Sequence, residues 1–182
     1  DSVRLAILTA LIRAIMRSRI EASEFTKQNL ISGNTGSTSD KSGMLLLPPC
    51  WIEIDEAQNI LPAERKTSAT DSLVRLVREG RNYGISFAVT TQQPSSIDQR
   101  IMAQVDVLIV HKLSGQSDIE YVTKNLKSVL PAEVSYGGRI LSLQEIIRSL
   151  DTGQALVSHV DSGRSYLVDI RPRVSVHGGF SI

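Results

Sequence analysis

The sequence predicts an α/β fold in which helices flank a mostly parallel sheet. Three short apolar runs, CWIEID at 50–55, ISFAV at 85–89 and VDVLIVH at 105–111, have the composition of buried strands. Helical segments separate these runs, and strands that alternate with helices are typical of parallel sheets with helical crossovers. We therefore expect the three strands to be neighbours in one sheet.

The composition fits one domain with a sizeable core, because the chain has 182 residues of which 41% are hydrophobic. A net charge of +1 neither favours nor excludes nucleic acid as a partner. Aromatic residues make up only 4% of the chain, which argues against single-strand binding by base stacking. A single cysteine excludes an internal disulfide and an all-cysteine metal site.

The N-terminal segment 1–31 predicts a helix. Leu5, Leu8, Ile12 and Ile15 recur at steps of three and four residues. The longest early apolar run is too short to span a membrane. The chain starts without Met and no signal peptide precedes the helix, so we expect a piece of a longer cytoplasmic protein that does not contact a membrane.

A polar segment, 32–43, follows the helix and predicts a flexible loop. It resembles the phosphate-binding pattern G-x-x-x-x-G-K-[ST], but Asp40 precedes Lys41 and Thr35 stands where the first glycine is required. We therefore expect no such loop, known as Walker A, in this chain.

Further elements continue the pattern beyond the first strand. Helical segments are predicted at 69–84, 97–104, 117–126 and 142–150. The segments GQALVSHV at 153–160 and SYLVDIRPR at 165–173 predict a terminal strand pair joined across DSG.

Two adjacent carboxylates, Asp55 and Glu56, close the first strand. In parallel α/β sheets, ligands gather at the carboxyl ends of the strands. One carboxylate there can hold Mg²⁺, usually through water, and the other can orient and deprotonate an attacking water. Acidic residues also suit a helix N-terminus, so these two residues alone leave a purely structural interpretation open.

The second strand ends in polar residues as well, in the sequence TTQQP. Thr91 and Gln92 would lie at the neighbouring strand end, where Thr91 could contact a bound nucleotide. The amide of Gln92 could sense a γ-phosphate or position a water. The spacing of about 35 residues between the two polar strand ends favours a shared site over two unrelated turns.

Two arginines, Arg78 and Arg81, lie near the end of the helix between the strands. One interpretation is a role on a phosphate group. The other is a solvated helix face on which they interact with Glu64, Asp71 or Glu79.

Four segments in order resemble one family. IDEAQNILP, LVREGRNYGISFAVTTQQPSSID, VDVLIVHKL and LDTGQALVSHV together are similar to the second half of the ATPase domain of HerA, in the HerA–FtsK group of P-loop motor ATPases. The resemblance covers roughly residues 45–172. It implies a RecA-like P-loop fold whose Walker A half lies outside this chain. It also implies hydrolysis of ATP with Mg²⁺, a hexameric ring with double-stranded DNA in its channel, and a nuclease partner.

The resemblance also implies residue roles. Asp55 matches the Walker B aspartate that holds Mg²⁺ through water, and Glu56 matches the catalytic glutamate. Gln92 matches the sensor glutamine. Arg81 matches the arginine that such rings present to ATP on a neighbouring subunit, with Arg78 as the second choice.

Two positions depart from the family pattern. Gln93 stands where the family often has arginine, which puts that contact in doubt. Glu53 is a charge within the Walker B strand, two residues before Asp55 and on the same face. Burying it without a partner would be costly, so it either pairs with an arginine or occupies an open position of the sheet.

The resulting prediction is the C-terminal portion of a HerA-type DNA translocase or helicase. The corresponding division of the chain is an N-terminal helix at 1–31, a loop at 32–43, the ATPase portion at 44–173 and a tail at 174–182. One alternative is a non-catalytic oligomerisation or DNA-docking domain. Another takes DEAQ as motif II of a superfamily 2 helicase, which VTTQQPSSID fits poorly.

Overall fold

The computed structural model of the chain describes residues 2–33, 47–67, 69–126, 133–136, 138–159, 162–172 and 174. The expected loop 32–43 and tail 174–182 lie outside the described residues, except for positions 32, 33 and 174. The chain divides into two compact units, Asp1–Gln104 and Val105–Ile182.

The elements of the first unit follow the predicted order of helix and strand. They are α1 Ser2–Ile31, β1 Cys50–Ile54, α2 Thr70–Glu79, β2 Ile85–Val89 and α3 Gln99–Met102. Short 3₁₀ turns lie at Ala57–Asn59, Gly80–Tyr83 and Pro94–Ser96. None of the helices within the described ranges is both long enough and apolar enough to cross a membrane.

Strands β1 and β2 are parallel neighbours, as the sequence predicts. Cys50 lies opposite Ile85 and Ile54 lies opposite Val89. Helix α2 forms the crossover between them, because parallel strands cannot be joined by a tight turn.

The core of the first unit lies on one face of this strand pair. Ile54 and Ile85 are 6% and 4% exposed, and they pack in one cluster with Ile12 of α1 and with Leu73 and Leu76 of α2. Successive side chains of a strand alternate between faces, so every second residue of both strands points to these helices. Fully burying each such side chain contributes roughly 1.5–3 kcal/mol.

The opposite face of β1 is open. Trp51 is 77% exposed and Glu53 is also exposed. No ion pair to Glu53 is present among the described side chains. Of the two alternatives for this charge, the open position is therefore the one observed.

Arg19 fastens α1 to the segment that precedes β2. The residue is only 7% exposed, and its Nε donates to the Tyr83 carbonyl at 2.7 Å. Its Nη1 donates to the carbonyl of Leu47, just before β1. Gly84 next to it has φ +71°, and a Cβ at that position would lie 2.9 Å from Arg19 Nη2. Both the left-handed backbone and the close guanidinium therefore require glycine there.

The second unit contains two separate antiparallel sheets in its described part. Its elements are β3 Val107–Val110, α4 Gln116–Leu126, β4 Glu133–Tyr136, β5 Arg139–Ser142, α5 Leu143–Ser149, β6 Gln154–His159 and β7 Arg164–Asp169. The strand orders are β3-β6-β7 and β4-β5, and every pairing is antiparallel.

The expectation of one mostly parallel sheet is not met by the described ladders, of which one is parallel and three are antiparallel. Within the second unit, β3 pairs with β6. Alternation of helices and strands does not encode strand direction, and β6 and β7 are joined across only 160–163, which suits an antiparallel hairpin. The predicted terminal strand pair is confirmed.

Helices α4 and α5 cover one face of the three-stranded sheet. Val110 and Leu156 from the strands form a cluster with Ile119 and Val122 of α4 and Ile147 of α5. These helices correspond to the segments 117–126 and 142–150, which the helical periodicity of the sequence predicted.

Candidate active site

Two polar segments meet at the carboxyl edge of the β1–β2 pair. The strands run in the same direction and end opposite each other, so the residues that follow them leave the sheet side by side. The backbone N–H of Thr90 donates to the Ile54 carbonyl at 2.9 Å, and that of Ala57 donates to the Thr90 carbonyl at 3.0 Å. These two bonds fix the polar segments relative to one another.

Glu56 has an unusual backbone conformation. Its φ and ψ are both 49°, and it is the one non-glycine residue with positive φ among those the structure describes. The left-handed region costs an L-residue roughly 1–2 kcal/mol, and such strain is concentrated at functional sites. Here it turns the chain from β1 into the 3₁₀ turn Ala57–Asn59, whose first residue is fully buried.

Asp55 is exposed, and one of its carboxylate oxygens is already engaged. Oδ1 accepts hydrogen bonds from the Thr90 hydroxyl and from the Glu56 N–H, the latter at 2.9 Å. The Thr90 hydroxyl, followed by the Glu56 N–H, lowers the pKa of Asp55 below its ordinary value, because both stabilise the ionised form. Oδ2 accepts no hydrogen bond from the described residues and can receive a water or a cation.

Glu56 is half-buried and held by two side-chain amides. Gln92 Nε2 donates to Oε1 at 2.9 Å, and Gln58 Nε2 donates to Oε2 at 2.6 Å. An ionised carboxylate has about four acceptor sites, so each oxygen can still accept one more proton donor. The carboxylate is thus fixed in orientation without being saturated.

Thr91 reaches the carboxylates only through Gln58. Its hydroxyl donates to Gln58 Oε1 at 2.6 Å and accepts from the Gln93 N–H at 3.0 Å. The structure therefore brings Asp55, Glu56 and Gln92 together directly and places Thr91 one residue away.

Sequence reasoning missed two members of this cluster, Thr90 and Gln58. Both stand within the motifs that drew attention to the site, DEAQ and TTQQP. The available signal was the run of polar residues immediately after each apolar strand.

Arg78 and Arg81 lie away from the cluster within their own unit. Arg78 is in the last turn of α2 and Arg81 is in the 3₁₀ turn Gly80–Tyr83, both before β2 begins. The cluster follows the end of β2, and the five residues of that strand span roughly 13 Å. The two arginines therefore lie toward the opposite edge of the strand pair.

Two of the three carboxylates that could have paired with these arginines, Asp71 and Glu79, have other partners. Arg75 Nε donates to Glu79 Oε2 at 2.9 Å, and Arg100 Nη1 donates to Asp71 Oδ1 at 3.1 Å. Arg78 and Arg81 are exposed, and neither makes a side-chain hydrogen bond or ion pair within the described ranges. Their guanidinium groups are therefore available to a ligand or a second chain.

The cluster has the donor type that Mg²⁺ selects. Mg²⁺ prefers oxygen ligands, keeps several waters and is commonly held by one or two carboxylates together with substrate phosphates. No group of three or more His, Cys, Asp or Glu side chains converges among the residues that the structure describes. The exposed Asp55 with its free Oδ2 fits a water-mediated Mg²⁺ site and does not fit a closed all-protein site.

The chain is similar in sequence to helicases. No protein-family model matches the chain. A probable helicase of Methanocaldococcus jannaschii is 29% identical over 112 residues, covering 60% of this chain and 19% of that protein. The DNA double-strand break repair helicase HerA of Sulfolobus acidocaldarius is 26% identical over 152 residues, covering 84% of this chain and 26% of its own length.

A solved structure shares the fold. The genome packaging NTPase B204 of Sulfolobus turreted icosahedral virus 2, in complex with ATP-gammaS, superposes with a TM-score of 0.52 at 17% identity. The match covers 67% of this chain and 52% of that one. The chain is therefore a mixed α/β protein that resembles packaging ATPases in fold, and a distant, partial homologue of HerA-like helicases of the HerA–FtsK group.

Proposed function

We propose that the chain is the C-terminal part of an ATP-hydrolysing, HerA-type DNA translocase, with a RecA-like core completed by sequence outside it. The observation that carries this proposal is the strand-end cluster, in which Asp55 and Glu56 lie beside Thr90 and Gln92 at the carboxyl edge of two parallel strands. The homology to HerA-like helicases supports the same assignment.

Asp55 holds the metal ion in this proposal. Its Oδ1 is taken by Thr90 and by the Glu56 N–H, so Oδ2 is the oxygen that would hold Mg²⁺ through water. When bound, Mg²⁺ would neutralise charge on the β- and γ-phosphate oxygens of ATP. The Thr90 hydroxyl and the Glu56 N–H lower the pKa of Asp55 by stabilising its ionised form, which is the form that metal binding requires.

Glu56 acts as the general base. The Gln58 and Gln92 amides occupy one acceptor site on each oxygen and leave room for the proton of an attacking water. A general base contributes roughly 10²–10⁴ to the rate of such a reaction. Gln92 lies at the same edge and can contact both the water and the γ-phosphate. Thr91, the residue before it, can contact the bound nucleotide.

Arg81 acts on ATP bound to an adjacent copy, with Arg78 as the second choice. Both arginines lie toward the opposite edge of the strand pair from the cluster of their own unit, and both are unpaired in the described structure. An arginine supplied in trans can contribute roughly 10³–10⁵ in rate by stabilising charge on the phosphoryl group. This role requires an oligomer, which we propose is a hexameric ring around double-stranded DNA, acting with a nuclease.

A matched pair of variants tests the assignment of Glu56. In the full-length protein that contains this chain, Glu56→Gln is expected to lower ATP turnover by about 100-fold or more, because an amide cannot accept the proton. ATP binding is expected to persist, because the nucleotide is held by other groups. Turnover is measured as phosphate release, and binding is measured with a fluorescent ATP analogue.

Glu53→Gln is the control. Glu53 lies in β1, three residues before Glu56, is exposed and makes no ion pair within the described structure, so this variant is expected to retain the wild-type rate. A Glu56→Gln protein that keeps more than about a tenth of the wild-type rate would contradict the proposed base.

A further inference from the structure

Gln58 connects the two strand ends of the cluster. It lies in the 3₁₀ turn Ala57–Asn59 and is half-buried. Its Nε2 donates to Glu56 Oε2 at 2.6 Å, and its Oε1 accepts from the Thr91 hydroxyl at 2.6 Å. One side chain therefore bridges the carboxylate that follows β1 and the hydroxyl that follows β2.

The hydrogen bonds around Gln58 have a defined direction. The Gln93 N–H can only donate, so the Thr91 hydroxyl that accepts it at 3.0 Å uses its own proton for another acceptor. That acceptor is Gln58 Oε1, which turns the Gln58 NH₂ group toward Glu56. An ionised carboxylate accepts only, so the same amide orientation satisfies both neighbours.

The consequence is a carboxylate held on both sides. Gln92 holds Oε1 and Gln58 holds Oε2, while the left-handed backbone of Glu56 fixes where the side chain begins. A base must be placed within hydrogen-bonding reach of the proton it removes. Loss of one of the two amides would leave the Glu56 side chain free to rotate away from the attacking water.

We propose that Gln58 is a positioning residue that holds Glu56 in the orientation for proton removal, with Thr91 fixing the direction of the Gln58 amide. This inference rests on the proposed function, because it assigns a task to the base named there. Gln58 acts through Glu56 and does not contact the reacting atoms. Its loss should therefore affect turnover and leave nucleotide affinity unchanged.

The test uses single and double variants of the full-length protein that contains the chain. Gln58→Leu is expected to lower kcat for ATP by about 10- to 100-fold, the usual effect of removing a supporting partner, with KM for ATP unchanged. Thr91→Val is expected to give a smaller loss, because the amide remains but can turn. The double variant is expected to lose no more than Gln58→Leu alone, since residues in one hydrogen-bond network are not additive.

Gln93→Leu is the matched control. It is the same substitution after the end of the neighbouring strand β2, and the exposed Gln93 side chain makes no hydrogen bond in the described structure. Its kcat is expected to equal that of the wild type. All rates are divided by the fraction of protein that binds ATP, so that misfolded protein does not count as inactive enzyme.

Three results would overturn the inference. The first is an unchanged or raised kcat in Gln58→Leu, and the second is a rise in KM for ATP without a fall in kcat. The third is a double variant whose fold-loss in kcat is the product of the two single losses. They are distinguishable from failure of the proposed function. If Glu56→Gln is inactive while Gln58→Leu is normal, only the positioning role fails. If Glu56→Gln itself turns over normally, the assignment of the base fails.

Discussion

At the scale of single residues, Glu56 combines a proposed catalytic role with backbone strain. Its left-handed conformation is retained although a glycine would adopt it without steric cost. The carboxylate therefore has a use that offsets the strain, namely its contacts with Gln58 and Gln92. Strain of this kind persists when the surrounding structure fixes it, as the bond from the Ala57 N–H to the Thr90 carbonyl does here.

Two substitutions of Glu56 separate the backbone from the side chain. Neither glycine nor alanine has a carboxylate, so the difference between their free energies of unfolding reports the backbone and not the lost side-chain contacts. Alanine is ordinarily the more stable of the two, but here Glu56→Gly is expected to exceed Glu56→Ala by about 1 kcal/mol in free energy of unfolding. Urea unfolding of the chain measures this, and a more stable Glu56→Ala variant would show that the residue is not held with positive φ.

The sequence predicted that Asp55, Glu56 and Gln92 lie at the ends of neighbouring strands, and it missed Gln58 and Thr90, which contact the two carboxylates. Asp55, Glu56 and Gln92 were found because polar residues at the ends of neighbouring parallel strands share an edge. Gln58 and Thr90 were missed because their partners depend on the turn at Glu56. That turn could not be predicted from residue type, because glutamate rarely adopts positive φ.

At the scale of elements, the sequence predicted the helices and two strand pairings, β1 with β2 and β6 with β7, and it missed the pairing of β3 with β6. Helix α5 begins where Ser142 and Glu145 form a capping box, with Glu145 Oε2 accepting the Ser142 N–H at 2.7 Å. The antiparallel pairing of β3 with β6 joins segments some 50 residues apart, and apolar composition does not specify such a partner. The β4–β5 hairpin was also missed.

The short helix α3 depends on Asp98. The carboxylate accepts from the Arg100 N–H at 2.9 Å and from Arg100 Nη2 at 2.8 Å, and the Asp98 N–H donates to the Leu61 carbonyl at 2.9 Å. Asp98→Ala is expected to lower the free energy of unfolding by about 1–2 kcal/mol, the effect of losing a helix cap. The exposed Asp106, which makes no side-chain hydrogen bond in the described structure, is the control position for the same substitution.

The stabilisation from Asp98 depends on pH. The Arg100 guanidinium is the main cause that lowers the pKa of Asp98 below its ordinary value. A lowered pKa in the folded state stabilises the protein above the unfolded pKa of about 3.9, and the gain is lost as pH falls through the folded value. The difference between wild type and Asp98→Asn in urea unfolding should therefore be present at pH 7 and shrink below about pH 4. A difference that is independent of pH would contradict the ion pair.

At the scale of the whole molecule, the proposed site is incomplete within one copy of the chain. The carboxylates lie at one edge of the β1–β2 pair, while Arg78 and Arg81 lie toward the other and have no partner in the described structure. The sequence also contains no G-x-x-x-x-G-K-[ST] loop to hold phosphates. Both features are consistent with a site assembled from several segments of an oligomer.

The most direct test of this account is the rate of ATP hydrolysis by mixed oligomers. Full-length Glu56→Gln and Arg81→Ala proteins are each expected to be inactive alone, because one lacks the base and the other lacks the arginine. When they assemble together, some interfaces join an intact Glu56 to an intact Arg81 of the neighbouring copy, and hydrolysis is expected to return in part. Native mass spectrometry establishes that the two variants share oligomers. Mixed oligomers that remain inactive, or an Arg81→Ala protein that is fully active alone, would contradict a hydrolytic site completed by a second copy.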